Sequence, residues 1–174
     1  MKENYLFYEE QKEKNLFIRI TLAILNIFAF VFTLLTVLSL MGIINGMVGE
    51  FETTELILIN IFILLIIGSI DYILFNSKLI TLIKNDGIYY RYIPFHHKFR
   101  KIESREISKC EARIYKPIKE YGGWGLRTFN RMKKAYSVSG NEGVEFTYIN
   151  GMKLLIGSKK MNKFYEAASK ILNR

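Results

Sequence analysis

The sequence predicts a membrane α-helical hairpin joined to a cytoplasmic α+β domain, mostly β. In that domain six or seven strands form a small curled sheet or barrel, capped by a C-terminal helix. Three observations lead there. Between Ile20 and Ser77 the chain carries no Lys or Arg. Two long apolar runs fill most of that interval. From Lys78 onward the texture changes to short alternating runs separated by Gly and Asn turns, ending in one amphipathic stretch. The chain has 174 residues, half of them apolar, with 25 Lys and Arg against 16 Asp and Glu. Beyond the runs about 97 residues remain on the C-terminal side, enough for one small core. That arithmetic excludes a multidomain enzyme and a soluble protein.

Taken in order, residues 1–19 are a cytoplasmic juxtamembrane segment and residues 20–44 a first transmembrane helix. Residues 45–55 are a short external loop, residues 56–76 a second transmembrane helix, and residues 77–174 the cytoplasmic domain. The run Ile20 to Ile44 is broken only by Thr21, Asn26, Thr33, Thr36, Ser39 and Gly42, and the run Leu56 to Phe75 by Asn60, Gly68, Ser69 and Asp71. A hydrocarbon core about 30 Å thick needs roughly 20 helical residues, so both runs suffice. Neither has the polar face of a soluble helix. Both exceed the roughly 7–15 apolar residues of a signal peptide.

Charge sets the orientation. The link from Asn45 to Glu55 has three acidic residues and no Lys or Arg, whereas Lys2, Lys12, Lys14 and Arg19 precede the first run and 21 basic residues follow the second. Lys and Arg stay cytoplasmic, so both termini face the cytoplasm of a cell (inner) membrane. Cys110 then lies in a reducing compartment, and as the sole cysteine it forms no internal disulfide. Within the membrane, Asp71 lies about 6 Å from the cytoplasmic end of its run. Arg19 and Asn26 bracket that depth on the first helix. An intramembrane acid is either an ion or proton site or a pin for the hairpin; its place near the interface favours a pin made with Arg19 or Asn26.

The C-terminal part alternates. Leu79 to Phe95 holds two strand-like runs joined by Asn85-Asp86-Gly87. Ile107 to Tyr115 places Cys110, Ala112 and Ile114 on one face and Lys109, Glu111 and Arg113 on the other. Lys133 to Ser139 is followed by a turn over Gly140 to Gly143. Val144, Phe146 and Tyr148 share a face, and Asn150-Gly151 turns the chain into Met152 to Gly157. In the last stretch Met161, Phe164, Tyr165, Ala168, Ile171 and Leu172 recur at spacings of three and four, one buried helix face, with Ser158 as the candidate N-cap. A helix closing a small curled sheet is the layout of pleckstrin-homology-like domains.

Several blocks also resemble a known family. Tyr115 to Arg127 (YKPIKEYGGWGLR), Lys134 to Phe146 (KAYSVSGNEGVEF) and Gly151 to Lys160 (GMKLLIGSKK) look like signature blocks of an uncharacterised bacterial family of two-span membrane proteins with a C-terminal domain similar to bacterial pleckstrin-homology domains. Phe7 to Gln11 and Tyr92 to Ile102 fit the same pattern. The departure is Met161, where the family's pattern has proline. The resemblance implies an architecture and no activity.

Function is sought in the most distinctive segment, Tyr121, Gly122, Gly123, Trp124, Gly125 and Arg127, followed by Arg131, Lys133 and Lys134. Glycines around the sole tryptophan allow close approach of a partner, and Tyr and Trp suit membrane–water interfaces. The segment is therefore either a loop that binds lipid or a partner protein, or a plug in which Trp124 packs inward. Residues 78–174 hold 21 Lys and Arg against 8 Asp and Glu, a balance of +13. Such charge suits anionic lipid, and Lys98, Arg100 and Lys101 beside His96 and His97 form a second basic cluster.

Catalytic motifs are lacking: His96 and His97 are adjacent, Cys110 adds no ligand cluster, and Gly140 and Gly143 open no phosphate-binding helix. The expectation is a non-enzymatic binding module with no cofactor, metal or nucleic-acid partner, meeting anionic membrane lipid or another membrane protein. The alternatives are a structural subunit of a membrane oligomer and a small transport component using Asp71.

Overall fold

The computed structural model describes residues 5–12, 16–44, 53–130 and 132–172. These fall into two compact units, residues 14–75 and residues 1–13 with 76–174. Most of the expected external loop, residues 45–52, lies outside the described residues.

The first unit is a pair of helices, α1 (Leu16–Leu40) and α2 (Thr53–Asn76). Both are long and apolar enough to cross a membrane. Helix α1 starts one turn before the apolar run, because Leu16, Phe17 and Ile18 extend it. It stops short of Ile44, where Gly42 adopts a φ of 71°. Thr21, Thr33, Thr36 and Ser69 each donate their hydroxyl to the carbonyl four residues back, which satisfies them inside an apolar helix. Side-chain rungs join the helices: Asn26 Nδ2 donates to Asp71 Oδ2 at 2.9 Å and Asn60 Nδ2 to Thr36 Oγ1 at 3.1 Å. Later residues on α1 meet earlier ones on α2, so the pair is antiparallel.

The second unit has two sheets, with nine strands among the described residues. The first sheet is antiparallel in the order β1 (Phe7–Lys12), β2 (Lys78–Lys84), β3 (Gly87–Ile93), β4 (Arg100–Ile102). The second contains β5 (Ile107–Ile114), β6 (Gly125–Asn130), β7 (Lys133–Ser137), β8 (Glu142–Tyr148) and β9 (Lys153–Gly157), in the order β5-β8-β9-β7-β6. Strand β9 returns from the Asn150-Gly151 hairpin to lie between β8 and β7, parallel to β7. A short helix, α3 (Pro117–Tyr121), and the C-terminal α4 (Met161–Leu172) complete the unit. These open sheets replace the single curled sheet of six or seven strands expected from the sequence.

One core fills the space between the sheets. Leu79, Ile83 and Ile88 from the first sheet meet Val144, Phe146, Leu154 and Ile156 from the second, and α4 adds Phe164, Ala168 and Ile171. Phe164 is fully buried and stacks on Phe7 with ring centroids 5.1 Å apart, a burial that stabilises by roughly 1.5–3 kcal/mol. Gly143 and Gly157 are paired across β8 and β9, and a Cβ on Gly143 would lie 2.6 Å from the Ile156 carbonyl, so only glycine fits.

The sequence reading missed β1 within its juxtamembrane segment. The domain contains this strand from the far side of the helical hairpin. Phe7, Glu9 and Gln11 point inward, Tyr8, Glu10 and Lys12 outward. The buried Glu9 carboxylate accepts the Ser158 hydroxyl at 2.6 Å and the Lys159 N–H at 3.0 Å. Gln11 Nε2 donates to the Gly157 carbonyl at 2.7 Å. Ser158 is not the cap residue, since it stands three positions before Met161. Its hydroxyl instead accepts the Lys160 N–H and relays the helix start to Glu9.

Candidate functional site at the exit end of the sheet domain

The chain leaves the sheet domain at Lys12 and re-enters at Lys78, and these two residues are partners in the β1–β2 ladder, with Ile93 beside Lys78 on β3. That row defines one end of the domain. The next row, Gln11, Leu79 and Tyr92, faces inward, and everything that touches it lies at the same end.

Two segments converge there. The Trp124 loop is one. The Tyr92 hydroxyl lies 3.7 Å from where a side chain on Gly125 would begin. Gly125 pairs with Ser137, whose Cβ lies 2.8 Å from where a side chain on Gly157 would begin, beside the Gln11 contact. The turn between β3 and β4 is the other. Phe95 follows Ile93 by two residues and stacks on Tyr92 with ring centroids 6.1 Å apart. The exit end therefore presents exposed Trp124, Phe95, His97 and Lys98, with Lys12 and Lys78 both within 4 Å of Glu10, at 3.3 and 3.8 Å.

Local geometry explains the loop. Helix α3 ends at Gly122 in the left-handed conformation (φ 69°), where its N–H returns to the Ile118 carbonyl. Gly123 follows at φ 120°, and Arg127 folds back over it, with Nη2 3.2 Å from where a Cβ would stand and Nε donating to the Trp124 carbonyl at 2.8 Å. Trp124 is 38% exposed and its indole N–H donates to the Gly140 carbonyl at 2.6 Å. The inward plug is thus not what the chain builds. The indole lies on the surface, held by its polar edge.

Other nominated residues separate. Tyr121 is not on the loop surface: it is buried beside Tyr115, Ala135 and Leu155 in a small core under α3. Burial, with Glu145 nearby, pushes its phenol up. Lys133 lies over the Tyr121 ring at 4.8 Å and 3.8 Å from Glu120. Lys134 is on the opposite face from Lys133, because neighbours on a strand alternate. Arg131 lies outside the described residues.

His96 leaves its basic cluster too. It is buried, edge-on to the Tyr90 and Tyr136 rings, and its Nδ1 accepts the Tyr92 N–H at 3.2 Å. Burial, then the nearby Arg100 charge, holds its imidazole below the usual value. Lys101 goes to Glu103 at 3.5 Å and over the Tyr89 ring. In the helices Asp71 accepts a hydrogen bond from Asn26.

Sequence reasoning also missed an ion cluster on the α3 side of the second sheet. Glu145 is 3% exposed at its side chain and receives Arg113 Nη1 at 2.7 Å and Lys153 Nζ at 3.3 Å, while Arg113 Nη2 reaches Glu120 at 2.6 Å. Burial opposes ionisation of Glu120, yet the Lys116 N–H and the Arg113 charge hold its carboxyl below the usual range. The alternation of β5 and β8 placed these residues on outward faces; the cover provided by α3 was not visible. Cys110 is half-buried on the core side, and burial, with Glu111, pushes its thiol up to about 12.

Two antiparallel helices of membrane-crossing length, inserted between the first two strands of a two-sheet domain closed by a C-terminal helix, define the class of protein. The chain belongs to DUF6141, a family of unknown function, whose family model matches residues 3–172. No curated protein and no solved structure matches it.

Proposed function

We propose that the protein is a membrane-anchored, non-enzymatic binding module of a bacterial inner membrane. Its helical hairpin spans the bilayer with both termini cytoplasmic, and its sheet domain, a divergent pleckstrin-homology-like unit, engages anionic lipid headgroups through the Trp124 loop. The carrying observation is that exposed Trp124, braced by Arg127 and Gly140, lies at the domain end where the chain departs for the helices. Only Ser77 separates Asn76, the end of α2, from Lys78, the start of β2. So short a connector keeps that end at the bilayer surface, where even weak headgroup contacts act at high effective concentration. Trp at the interface and Arg on phosphate suit the chemistry.

Trp124 is the sole tryptophan, so the intact protein carries its own reporter. Full-length protein reconstituted in neutral and in anionic vesicles is compared by emission and by quenching from lipid-borne bromine. A blue-shifted, lipid-quenched signal in anionic vesicles, weakened by salt and by Arg127→Glu, is expected. Emission that stays red and open to aqueous iodide in both vesicle types removes the loop from the membrane and points instead to a protein partner.

A further inference from the structure

Resting on the reading of an anionic bilayer beneath the exit end, we infer that the turn between β3 and β4 is a second membrane-contacting arm, with Phe95 as its aromatic anchor and His97 and Lys98 as its headgroup ligands. The turn lies directly beyond the Lys12–Lys78–Ile93 row, so it borders the point of chain departure as closely as the Trp124 loop does. Phe95 is 51% exposed although its ring lies against Tyr92, the same residue whose hydroxyl borders Gly125. Tyr92 thereby touches both segments, Phe95 with its ring and the Gly125 end of the Trp124 loop with its hydroxyl.

The turn is built to hold that position. The His96 N–H donates to the Tyr92 carbonyl at 2.8 Å and the Tyr92 N–H to His96 Nδ1 at 3.2 Å. Arg91 Nε donates to the His96 carbonyl at 3.1 Å. These bonds fix the residue between Phe95 and His97, so an apolar ring is kept outward rather than folded into the core. An exposed aromatic with neighbouring cations is the composition of a membrane-interface segment, and the cations make the complement of an anionic surface. With two arms astride the exit, the domain is held in one orientation on the bilayer instead of pivoting on a single loop.

The test moves the reporter. In Trp124→Phe with Phe95→Trp, and separately in Trp124→Phe with His97→Trp, full-length protein in anionic vesicles carries one tryptophan in the turn. Folding is checked by circular dichroism, and His97→Trp, at an exposed position, guards against loss of packing at Phe95. Blue-shifted emission quenched by lipid-borne bromine is expected for either folded reporter. Lys98→Ala then lowers the ratio of lipid-contacting to water-exposed reporter about fivefold, the equivalent of about 1 kcal/mol for one basic residue near the surface. Turn reporters that stay open to aqueous iodide while native Trp124 is lipid-quenched overturn the second arm and leave the first standing. Quenched turn reporters with a water-exposed Trp124 do the reverse.

Discussion

In α1 and α2 the buried residues include Leu22, Thr36, Leu56 and Asn60, while Phe28, Phe30, Phe62 and Leu65 stand outward. In the sheet domain Leu79, Ile83, Phe146 and Ile156 are sealed inside and most of the cations stand at the surface. One chain thus sorts its side chains by two rules. Where water surrounds the fold, apolar area drives assembly. In lipid, which the proposed spans would meet, an apolar face gains nothing by turning inward, and pairing of polar groups fixes how helices meet. Perturbations of the sheet domain should therefore cost far more than comparable ones in the hairpin.

The sharpest way to break the comparison is at β1, the strand of the sheet domain that precedes the hairpin in the sequence. Residues 77–174 alone lack Phe7, Glu9 and Gln11, which leaves Phe164 without its stacking partner and the chain ahead of α4 without its acceptor. That fragment is expected to lose its cooperative melt. Joining Lys12 to Lys78 through a short Gly-containing turn in place of residues 13–77 should restore a folded, soluble domain, since the two are ladder partners. Circular dichroism and dispersed amide spectra of the two chains decide it; a well-folded 77–174 fragment would show β1 to be dispensable.

The ion cluster comes next. Arg113→Met leaves Glu145 with Lys153 and the long Tyr121 hydroxyl contact, an undercompensated buried carboxylate, and should cost about 2–3 kcal/mol. Glu145→Gln keeps an acceptor of the same shape and should cost about 1 kcal/mol. Chemical denaturation of the domain in the two variants measures the difference, and equal losses would mean that the cluster is solvated rather than buried.

The buried imidazole gives a pH signature. A histidine whose folded value is depressed is protonated more readily in the unfolded chain, so its contribution is whole above about 6.5 and declines as pH falls through that value. Protonation would also remove Nδ1 as the acceptor for Tyr92 N–H. Stability should drop between pH 7 and the folded value, and His96→Asn, which retains an acceptor but does not titrate, should flatten that limb. Glu120, held low, acts in a separate window: its contribution is present at neutral pH and is lost only as pH falls through the acidic range. Melting temperature against pH for both proteins resolves the two limbs.

What was legible in the sequence follows the same division. The Asn85-Asp86 hairpin and the Val144–Phe146–Tyr148 face stand where they were expected; the apolar runs form helices with shifted bounds, Leu16–Leu40 and Thr53–Asn76, and the α4 stripe holds except at Tyr165, which is exposed. Strand β1 was illegible because its inward positions include Glu9 and Gln11, so its alternation does not separate apolar from polar. The Trp124 loop was legible in composition yet not in direction, since three glycines permit either outcome. His96 and Tyr121 look like members of a basic cluster and of an exposed loop until the neighbours that bury them, all distant in sequence, are in place.

The smallest effect lies in the hairpin and sharpens the comparison most. Asn60 donates one N–H to Thr36 Oγ1, a buried contact between the helices, and another to the Leu56 carbonyl of its own helix. In water, burying an amide would rank with the ion cluster; in lipid the separated helices find other partners, and an interhelical bond is worth about 0.6 kcal/mol on average. Asn60→Leu, close in volume, should therefore shift unfolding of the full-length protein in lipid by about that amount, and Thr36→Val should add little to it. A loss several times larger would mean that the amide oxygen, which has no protein partner among the described residues, anchors something beyond this helix pair. The hairpin would then obey the rule of the sheet domain, and its polar rungs would mark an interface rather than a pin.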